Sequence, residues 1–145
     1  MIGSNVNSPA ARRVVITDAD FDRLNHLAES ARYRATHFAL VTGLKGEIDR
    51  GEIVATARVP RNVVTMNSRV RLRDLRTGEC ETHTLVYPEA ADLELGKLSV
   101  LAPLGTALLG SRTGEVIEFD TPGGVRRLKV ERVLYQPEAA GDYHL

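Results

Sequence analysis

The stretch that decides the fold runs from Ser99 to Arg112 and reads SVLAPLGTALLGSR. Four residues separate Gly105 from Gly110 within it, which is the glycine spacing of a phosphate-binding P-loop. A P-loop also needs Lys followed by Ser or Thr directly after the second glycine, so that an ammonium group meets the outer phosphates. Ser111 and Arg112 stand there instead. We therefore do not expect this stretch to bind a nucleotide.

The same residues are typical of a short helix. Pro103 fits the first helical position, where its missing N–H would lack an intrahelical partner in any case. Gly110 fits the position just beyond the end of a helix, where glycine adopts a left-handed backbone at little cost. We therefore predict that a short helix begins at Pro103 and ends before Gly110.

The leucines of this helix divide between two directions. At about 100° per residue, Leu104, Ala107 and Leu108 share one face that can pack on a sheet, whereas Leu109 points the opposite way. Either another part of the chain covers Leu109, or Leu109 and the turn at Pro103 belong to a surface that meets another protein. Both alternatives stay open at this point.

Composition indicates a small folded protein whose balanced charge favours no particular kind of partner. The chain has 145 residues, 43% of them hydrophobic, which suits one domain or one domain with an appendage. Its 19 basic and 19 acidic residues balance, and its single cysteine fits a reducing compartment. The sequence shows neither a signal-peptide pattern nor a run of about 18 apolar residues. We therefore expect a cytoplasmic protein with no membrane partner.

The first part of the chain follows a helical period. Residues 1–13 are polar and are expected to be a flexible N-terminus. Apolar residues at helical spacing predict one helix over residues 18–31, capped by Thr17, and a second helix from Thr36. Such short helices need a packing partner, so residues 14–58 are predicted to form an antiparallel helical hairpin, a short coiled coil.

After Pro60 the period becomes that of β-strands. Alternating or β-branched runs between turn signals predict four strands: Val70–Arg73, Thr82–Tyr87, Glu115–Phe119 and Val125–Tyr135. The fold class is therefore α+β, in which residues 62–145 form a sheet of four or five antiparallel strands with one short helix.

Cys80 and His83 are the residues that could suggest a metal site. Residues three apart on a strand face opposite sides, and the sequence supplies no further clustered ligands. Glu79 and Glu81 place negative charge beside the Cys80 thiol, which disfavours the thiolate that a nucleophile needs. No nucleophile-elbow motif is present. We predict no catalytic residue, no metal site and no cofactor.

A set of motifs follows in a characteristic order along the C-terminal half. They are Gly78-Glu79 before a Thr-Leu-Val strand, the stretch from Leu98 to Gly110, Gly114-Glu115-Val116 and Pro122-Gly123-Gly124. Together they resemble the C-terminal domain of the Gre transcript-cleavage factors. Residues 63–70 and 135–143 are similar to a Gre-like branch with a shortened helical arm. The resemblance extends over about residues 40–145.

The resemblance implies an FKBP-like C-terminal domain, a coiled-coil finger, and a partner, which is the rim of the secondary channel of bacterial RNA polymerase. In Gre factors the turn that leads into the short helix takes part in docking. Carried over to this sequence, the docking residues are Leu101, Ala102, Pro103 and Leu104, with Leu109 on the same apolar surface. Ala102 stands where Gre factors usually have a polar residue, often Ser.

The resemblance also bears on the action of the finger. Gre-stimulated cleavage needs carboxylates at the finger tip that help to hold a second magnesium ion at the polymerase active site. The expected tip here carries Arg32, Tyr33 and Arg34, and the sequence has no Asp or Glu between Glu29 and Glu47. We therefore expect a regulator of elongation that competes with Gre-type factors without stimulating cleavage. The basic tip is suited to contact phosphates of RNA or of a nucleotide.

Two other functions stay open. The Gre-like branch implies an influence on nucleoside diphosphate kinase, and the residues do not separate direct binding to that kinase from an effect through transcription. A Gre-like factor that does stimulate cleavage is the second. The implied FKBP-like fold also suggests prolyl isomerase activity, which we do not expect because the strand half offers few aromatic residues for a proline pocket.

The C-terminal segment from Gln136 to Leu145 also has two interpretations. Pro137 and Gly141 predict an ordered surface segment, in which Tyr143 and Leu145 pack back on the sheet. Alternatively, Asp142 and Tyr143 add to the surface that meets a partner.

Overall fold

The computed structural model describes residues 14–145, and the predicted flexible N-terminus 1–13 lies outside the described residues. Five helices are described: α1 Asp18–Ala28, α2 Ala31–Thr36, α3 Phe38–Asp49, α4 Pro103–Leu108 and α5 Pro137–Ala140. Seven strands are described: β1 Val15–Thr17, β2 Glu52–Val54, β3 Arg69–Asp74, β4 Cys80–Val86, β5 Lys97–Ser99, β6 Val116–Thr121 and β7 Gly124–Tyr135. Short 3-10 turns occupy Thr56–Arg58, Pro88–Ala90 and Leu93–Leu95. This is the predicted α+β class.

The first helix begins as predicted, but residues 14–58 contain three helices rather than two. The Thr17 hydroxyl accepts a hydrogen bond of 3.1 Å from the backbone N–H of Asp20, which caps α1. The expected tip between the two predicted helices is instead the separate helix α2, and α1 ends at Ala28, so the predicted end of the first helix at residue 31 was wrong. The backbone leaves helical geometry at Ser30 and at His37, while four of the six residues between them are the good helix formers Ala and Arg. α1 packs on α3, and Lys45 Nζ donates to Asn25 Oδ1 at 3.0 Å between them.

A two-stranded parallel sheet closes the helical part, which the sequence did not predict. β1 precedes α1 and pairs with β2 after α3, with Ile16 opposite Ile53. The chain turns between α3 and β2 at Gly51, where an added Cβ would lie 2.7 Å from Ile16 Cδ1. Glycine therefore allows β2 to approach β1 closely.

The main sheet has five strands in the order β5-β4-β3-β7-β6. The pairs β3–β4, β3–β7 and β6–β7 are antiparallel, as predicted. β4 and β5 are parallel, with Thr84 opposite Lys97, so the prediction of a wholly antiparallel sheet was wrong at this edge. Two 3-10 turns separate these strands, and parallel neighbours need such a longer connection rather than a tight hairpin.

Helices and sheet share one buried cluster. Leu24 and Leu44 from the helices, Leu72 and Leu128 from the sheet, and Leu108 from α4 are all fully buried within it. The short helix therefore joins the two parts of the chain, because its buried face lies in the same core. Among residues 14–145, no helix has the length and apolar character needed to cross a membrane.

Three segments of backbone meet at Gly110, just after α4. The Gly110 carbonyl accepts from the N–H of Val15 at 3.2 Å, and the Gly110 N–H donates to the carbonyl of Val64 at 2.8 Å. Gly110 has a φ of +74°, and an added Cβ would lie 2.3 Å from Val14 Cγ1 and 2.8 Å from Val15 N. Only glycine fits this crossing, as the predicted position beyond a helix end requires.

Two glycine-to-alanine changes should therefore act in opposite directions. Gly110→Ala combines a left-handed backbone with a steric clash, and we expect it to lower the free energy of unfolding by at least about 2 kcal/mol. Gly43→Ala should raise it by about 0.5–1 kcal/mol, because Gly43 lies inside α3 and an added Cβ meets nothing within 4 Å. Urea unfolding of both variants measures the difference. Equal changes in the free energy of unfolding would contradict the close backbone contact at Gly110.

Candidate functional site

The turn into α4 is held by a compact set of hydrogen bonds. The Ser99 hydroxyl accepts from the N–H of Leu101 at 3.1 Å, and the Ser99 carbonyl accepts from the N–H of Ala102 at 3.1 Å. The Thr106 hydroxyl donates to the carbonyl of Val100 at 2.7 Å. α4 begins at Pro103, as predicted, and Pro103 is exposed. The turn therefore presents Pro103 from a well-supported backbone.

Gly105 allows this close packing. An added Cβ at this position would lie 2.0 Å from the carbonyl oxygen of Ser99. The spacing of Gly105 and Gly110 that resembles a P-loop thus reflects two close backbone approaches, one within α4 and one just after it.

The five predicted docking residues differ in their exposure. Leu101, Leu104 and Leu109 are 5%, 8% and 1% exposed, so these side chains belong to the core. The alternative in which the chain covers Leu109 is therefore correct. Ala102 is partly exposed, and Pro103 is exposed. A partner that docks at this turn would meet Ala102 and Pro103, while the leucines hold the turn in place.

An open groove lies beside Pro103, between α3, α4 and β6. Its volume is about 560 Å³. Leu40, Pro103, Ala107 and Phe119 contribute apolar surface to its wall. Charged residues line it as well: Glu47, Arg50, Glu118 and Asp120. Apolar surface next to charged residues is typical of a protein-docking surface, and we call it the Pro103 groove.

The predicted finger tip lies in α2. Arg32 and Arg34 are exposed, whereas Tyr33 is partly buried. The Arg32 guanidinium lies 5.6 Å from the centre of the Tyr33 ring, within the range of a cation–π contact. The structure therefore places the cations of the predicted tip at the surface.

Cys80 and His83 lie on opposite faces of the main sheet, as predicted. Cys80 is opposite Arg73 and exposed, whereas His83 is opposite the buried Val70 and bonds to Glu81 at 2.8 Å. In the part of the chain that the structure describes, no group of three or more His, Cys, Asp or Glu side chains could hold a metal ion.

A buried carboxylate joins the helices to the sheet part, and the sequence analysis did not identify it. Asp20 in the first turn of α1 is 6% exposed and accepts from the backbone N–H of Met66 at 3.1 Å. Burial raises its pKa to about 6, and the nearby carboxylate of Glu138 adds to the rise. In the sequence, Asp20 resembled any other acidic residue at a helix N-terminus, so nothing signalled its burial.

Gln136 anchors the start of the C-terminal segment, and the carbonyl of Leu145 at its end accepts from Arg23 Nη1 at 3.1 Å. Gln136 Nε2 donates to the carbonyls of Pro60 and Val63, both at 2.8 Å. Tyr143 and Leu145 are 59% and 45% exposed, so the prediction that they pack on the sheet was wrong. Pro137 is buried, and Glu138 Oε1 accepts from the Thr65 hydroxyl at 2.7 Å, so the attachment lies at the start of the segment and the side chains of Tyr143 and Leu145 stay at the surface.

Comparison with known proteins identifies the family. Residues 59–135 match the family model described as the C-terminal part of the transcription elongation factors GreA/GreB. The chain belongs to this GreA/GreB family. Residues 12–54 match the family model described as the Rnk N-terminus, so the helical part is of the Rnk type.

Individual relatives agree with this assignment. The chain is 44% identical to the "Regulator of nucleoside diphosphate kinase" of Escherichia coli K12, covering 91% of this chain and 96% of that protein. It is 30% identical to the transcription elongation factor GreA of Bartonella tribocorum, covering 75% of this chain and 73% of that protein. A solved structure of a prokaryotic GreA/GreB factor from Nitrosomonas europaea has a TM-score of 0.71 at 39% identity, covering 86% of this chain and 99% of that one.

Asp20 gives a prediction on pH dependence. Its folded-state pKa of about 6 exceeds the ordinary value of 3.8, so the folded protein binds this proton more tightly than the unfolded chain does. The Asp20 contribution to the free energy of unfolding should therefore fall as the pH rises from about 4 to about 6. Asp20→Asn keeps an oxygen acceptor for Met66 without the charge. At neutral pH it should be more stable than the parent by up to about 3 kcal/mol.

Thermal or urea unfolding across this pH range measures the effect, with Asp22→Asn as the matched control on the exposed side of α1. The difference between parent and Asp20→Asn should shrink towards pH 4, and the control should show no such trend. A constant difference at all pH values would refute the assignment.

Proposed function

We propose that this protein is a bacterial RNA polymerase-binding regulator that acts in the cytoplasm. It docks at the rim of the secondary channel and modulates elongation by competing with Gre-type factors. The observation that carries the proposal is Pro103, an exposed residue on a rigid turn beside the Pro103 groove. Membership of the GreA/GreB family supports the choice of partner.

The two parts of the chain have separate roles in this proposal. Residues 62–145 form an FKBP-like body that grips the rim of the channel through Ala102 and Pro103. Residues 14–58 form a short antiparallel coiled-coil finger from α1 and α3, with α2 at its tip. The shared core and the hydrogen bond from Met66 to Asp20 support a fixed angle between finger and body.

The finger occupies the channel entrance without promoting RNA cleavage. Stabilisation of a second magnesium ion requires oxygen ligands, usually carboxylates. α2 instead exposes Arg32 and Arg34, and guanidinium groups repel a metal ion. The same cations are suited to contact phosphates of RNA or of an entering nucleotide. The protein is therefore a regulator and not an enzyme in this proposal.

Docking gives the first test. Pro103→Asn removes apolar surface at the centre of the proposed contact, and the dissociation constant for bacterial core polymerase should rise about tenfold or more. Biolayer interferometry with immobilised core polymerase measures it. Pro122→Asn is the matched control, because Pro122 is also exposed but lies in the turn between β6 and β7. Leu104 is unsuitable for this test, since a charge there would disrupt the core.

Transcript cleavage gives the second test. Added to backtracked elongation complexes, the protein should leave the RNA length unchanged, because its tip brings no carboxylate to the metal site. Added together with a GreA factor, it should reduce the cleavage rate in proportion to its occupancy of polymerase. Pro103→Asn should lose this inhibition. Robust RNA shortening by the protein alone would identify it as a cleavage-stimulating factor instead.

A second candidate function rests on the name of the Escherichia coli relative, a regulator of nucleoside diphosphate kinase. In this alternative the protein binds the kinase directly. Binding measured against purified kinase and purified core polymerase in parallel separates the two. Stronger binding to the kinase, unaffected by Pro103→Asn, would favour direct regulation.

A further inference from the structure

The solvent-facing side of the main sheet concentrates positive charge. Side chains alternate along β3, where Val70 and Leu72 are fully buried in the core. The residues between and beside them point outward: Arg69, Arg71 and Arg73. All three therefore project from the central strand of the sheet on the side opposite the core.

The register of the sheet adds like charges from the neighbouring strand. Arg132 of β7 is opposite Arg71, and Lys129 is opposite Arg73. Together with the three arginines of β3 they make five cations on two adjacent strands, and we call these the cationic face: Arg69, Arg71, Arg73, Lys129 and Arg132. Like charges directly opposite each other destabilise an antiparallel pair, so this arrangement costs stability.

One carboxylate lies among these cations. Glu131 accepts from Arg73 Nε at 2.5 Å and lies 3.6 Å from Arg71 Nε. The hydrogen bond from Arg73 holds the pKa of Glu131 below its ordinary value. A bulge in β7 near Arg71 brings Glu131 to the same side as Arg132. A single carboxylate partly offsets the repulsion and leaves the face strongly positive.

The surroundings of the cationic face keep the charge concentrated there. On the β4 side the outward residues opposite Arg73, Arg71 and Arg69 are uncharged: Cys80, Thr82 and Thr84. On the β6 side, Arg127 and Glu118 form an ion pair of 2.8 Å. A chain with balanced total charge therefore carries a local field, although repulsion between the cations works against folding.

We propose that the cationic face binds the phosphate backbone of a nucleic acid without sequence preference. Four of its five cations are arginines, whose planar guanidinium groups pair with phosphate oxygens in a bidentate manner. Adjacent strands lie about 4.8 Å apart, and alternate residues follow every 6–7 Å or so along a strand. This flat, regular array fits a regular polyanion. The centre of a protein–protein interface is instead apolar and depleted in charge.

The test measures binding of a fluorescent RNA strand of about 20 nucleotides, and separately of a DNA duplex, over a salt series. The variant replaces the two β7 cations, Arg132→Gln with Lys129→Gln. At low salt its dissociation constant for RNA should rise about tenfold or more, and the log–log salt slope should become less steep by about 1.4. The arm with tighter binding identifies the preferred nucleic acid.

The matched control removes two exposed cations outside the sheet, Arg58→Gln with Arg61→Gln, and should bind as the parent does. Thermal unfolding provides a second readout. The face variant should be at least as stable as the parent, since it removes two like-charge pairs. Three outcomes would overturn the proposal: no oligonucleotide binding by the parent at about 50 mM salt, an equal loss in the control, or tighter binding to polyglutamate than to either nucleic acid.

Discussion

The close crossing of backbone at Gly110 is the constraint on which the rest of the structure depends. The carbonyl and N–H of this residue bond to segments from the beginning and the middle of the chain, Val15 and Val64. Because β1 leads directly into α1, the crossing fixes where the helices start relative to the sheet. It also fixes the end of α4, and with it the turn that presents Pro103. A side chain at position 110 would therefore disturb both the start of the helical part and the end of α4.

Much of the architecture could be predicted because it depends on local patterns. The cap at Thr17, the start of α4 at Pro103 and the left-handed Gly110 all follow from the chemistry of individual residues. The missed elements depend on distant partners. β5 has only three residues, and its parallel pairing with β4 has no sequence signal. β1 and β2 are equally short and meet only because α1 and α3 bring them together.

The sequence predicted the turn and the helix start at Pro103, but not which side chains around them are exposed. The sequence indicated the turn at Pro103, yet Leu101, Leu104 and Leu109 look alike in sequence whether they face the core or a partner. The cationic face was harder still to predict from the sequence. The balance of 19 basic and 19 acidic residues conceals the cationic face, because cross-strand register and a bulge bring its members together. Total charge describes a whole chain, whereas recognition depends on which side chains share a surface.

The hydrogen bond from the Val15 N–H to the Gly110 carbonyl also determines when β1 can attach to the sheet part during synthesis. Val15 leaves the ribosome early, and β1 can pair with β2 once residue 54 has emerged, but the Gly110 carbonyl that accepts from the Val15 N–H is made much later. Long-range closure of this kind slows folding. The helical part is therefore synthesised first, and its attachment to the end of α4 forms late. A ribosome that stalled before Gly110 would hold a nascent chain in which β1 can pair with β2 but lacks its hydrogen bond to the sheet part.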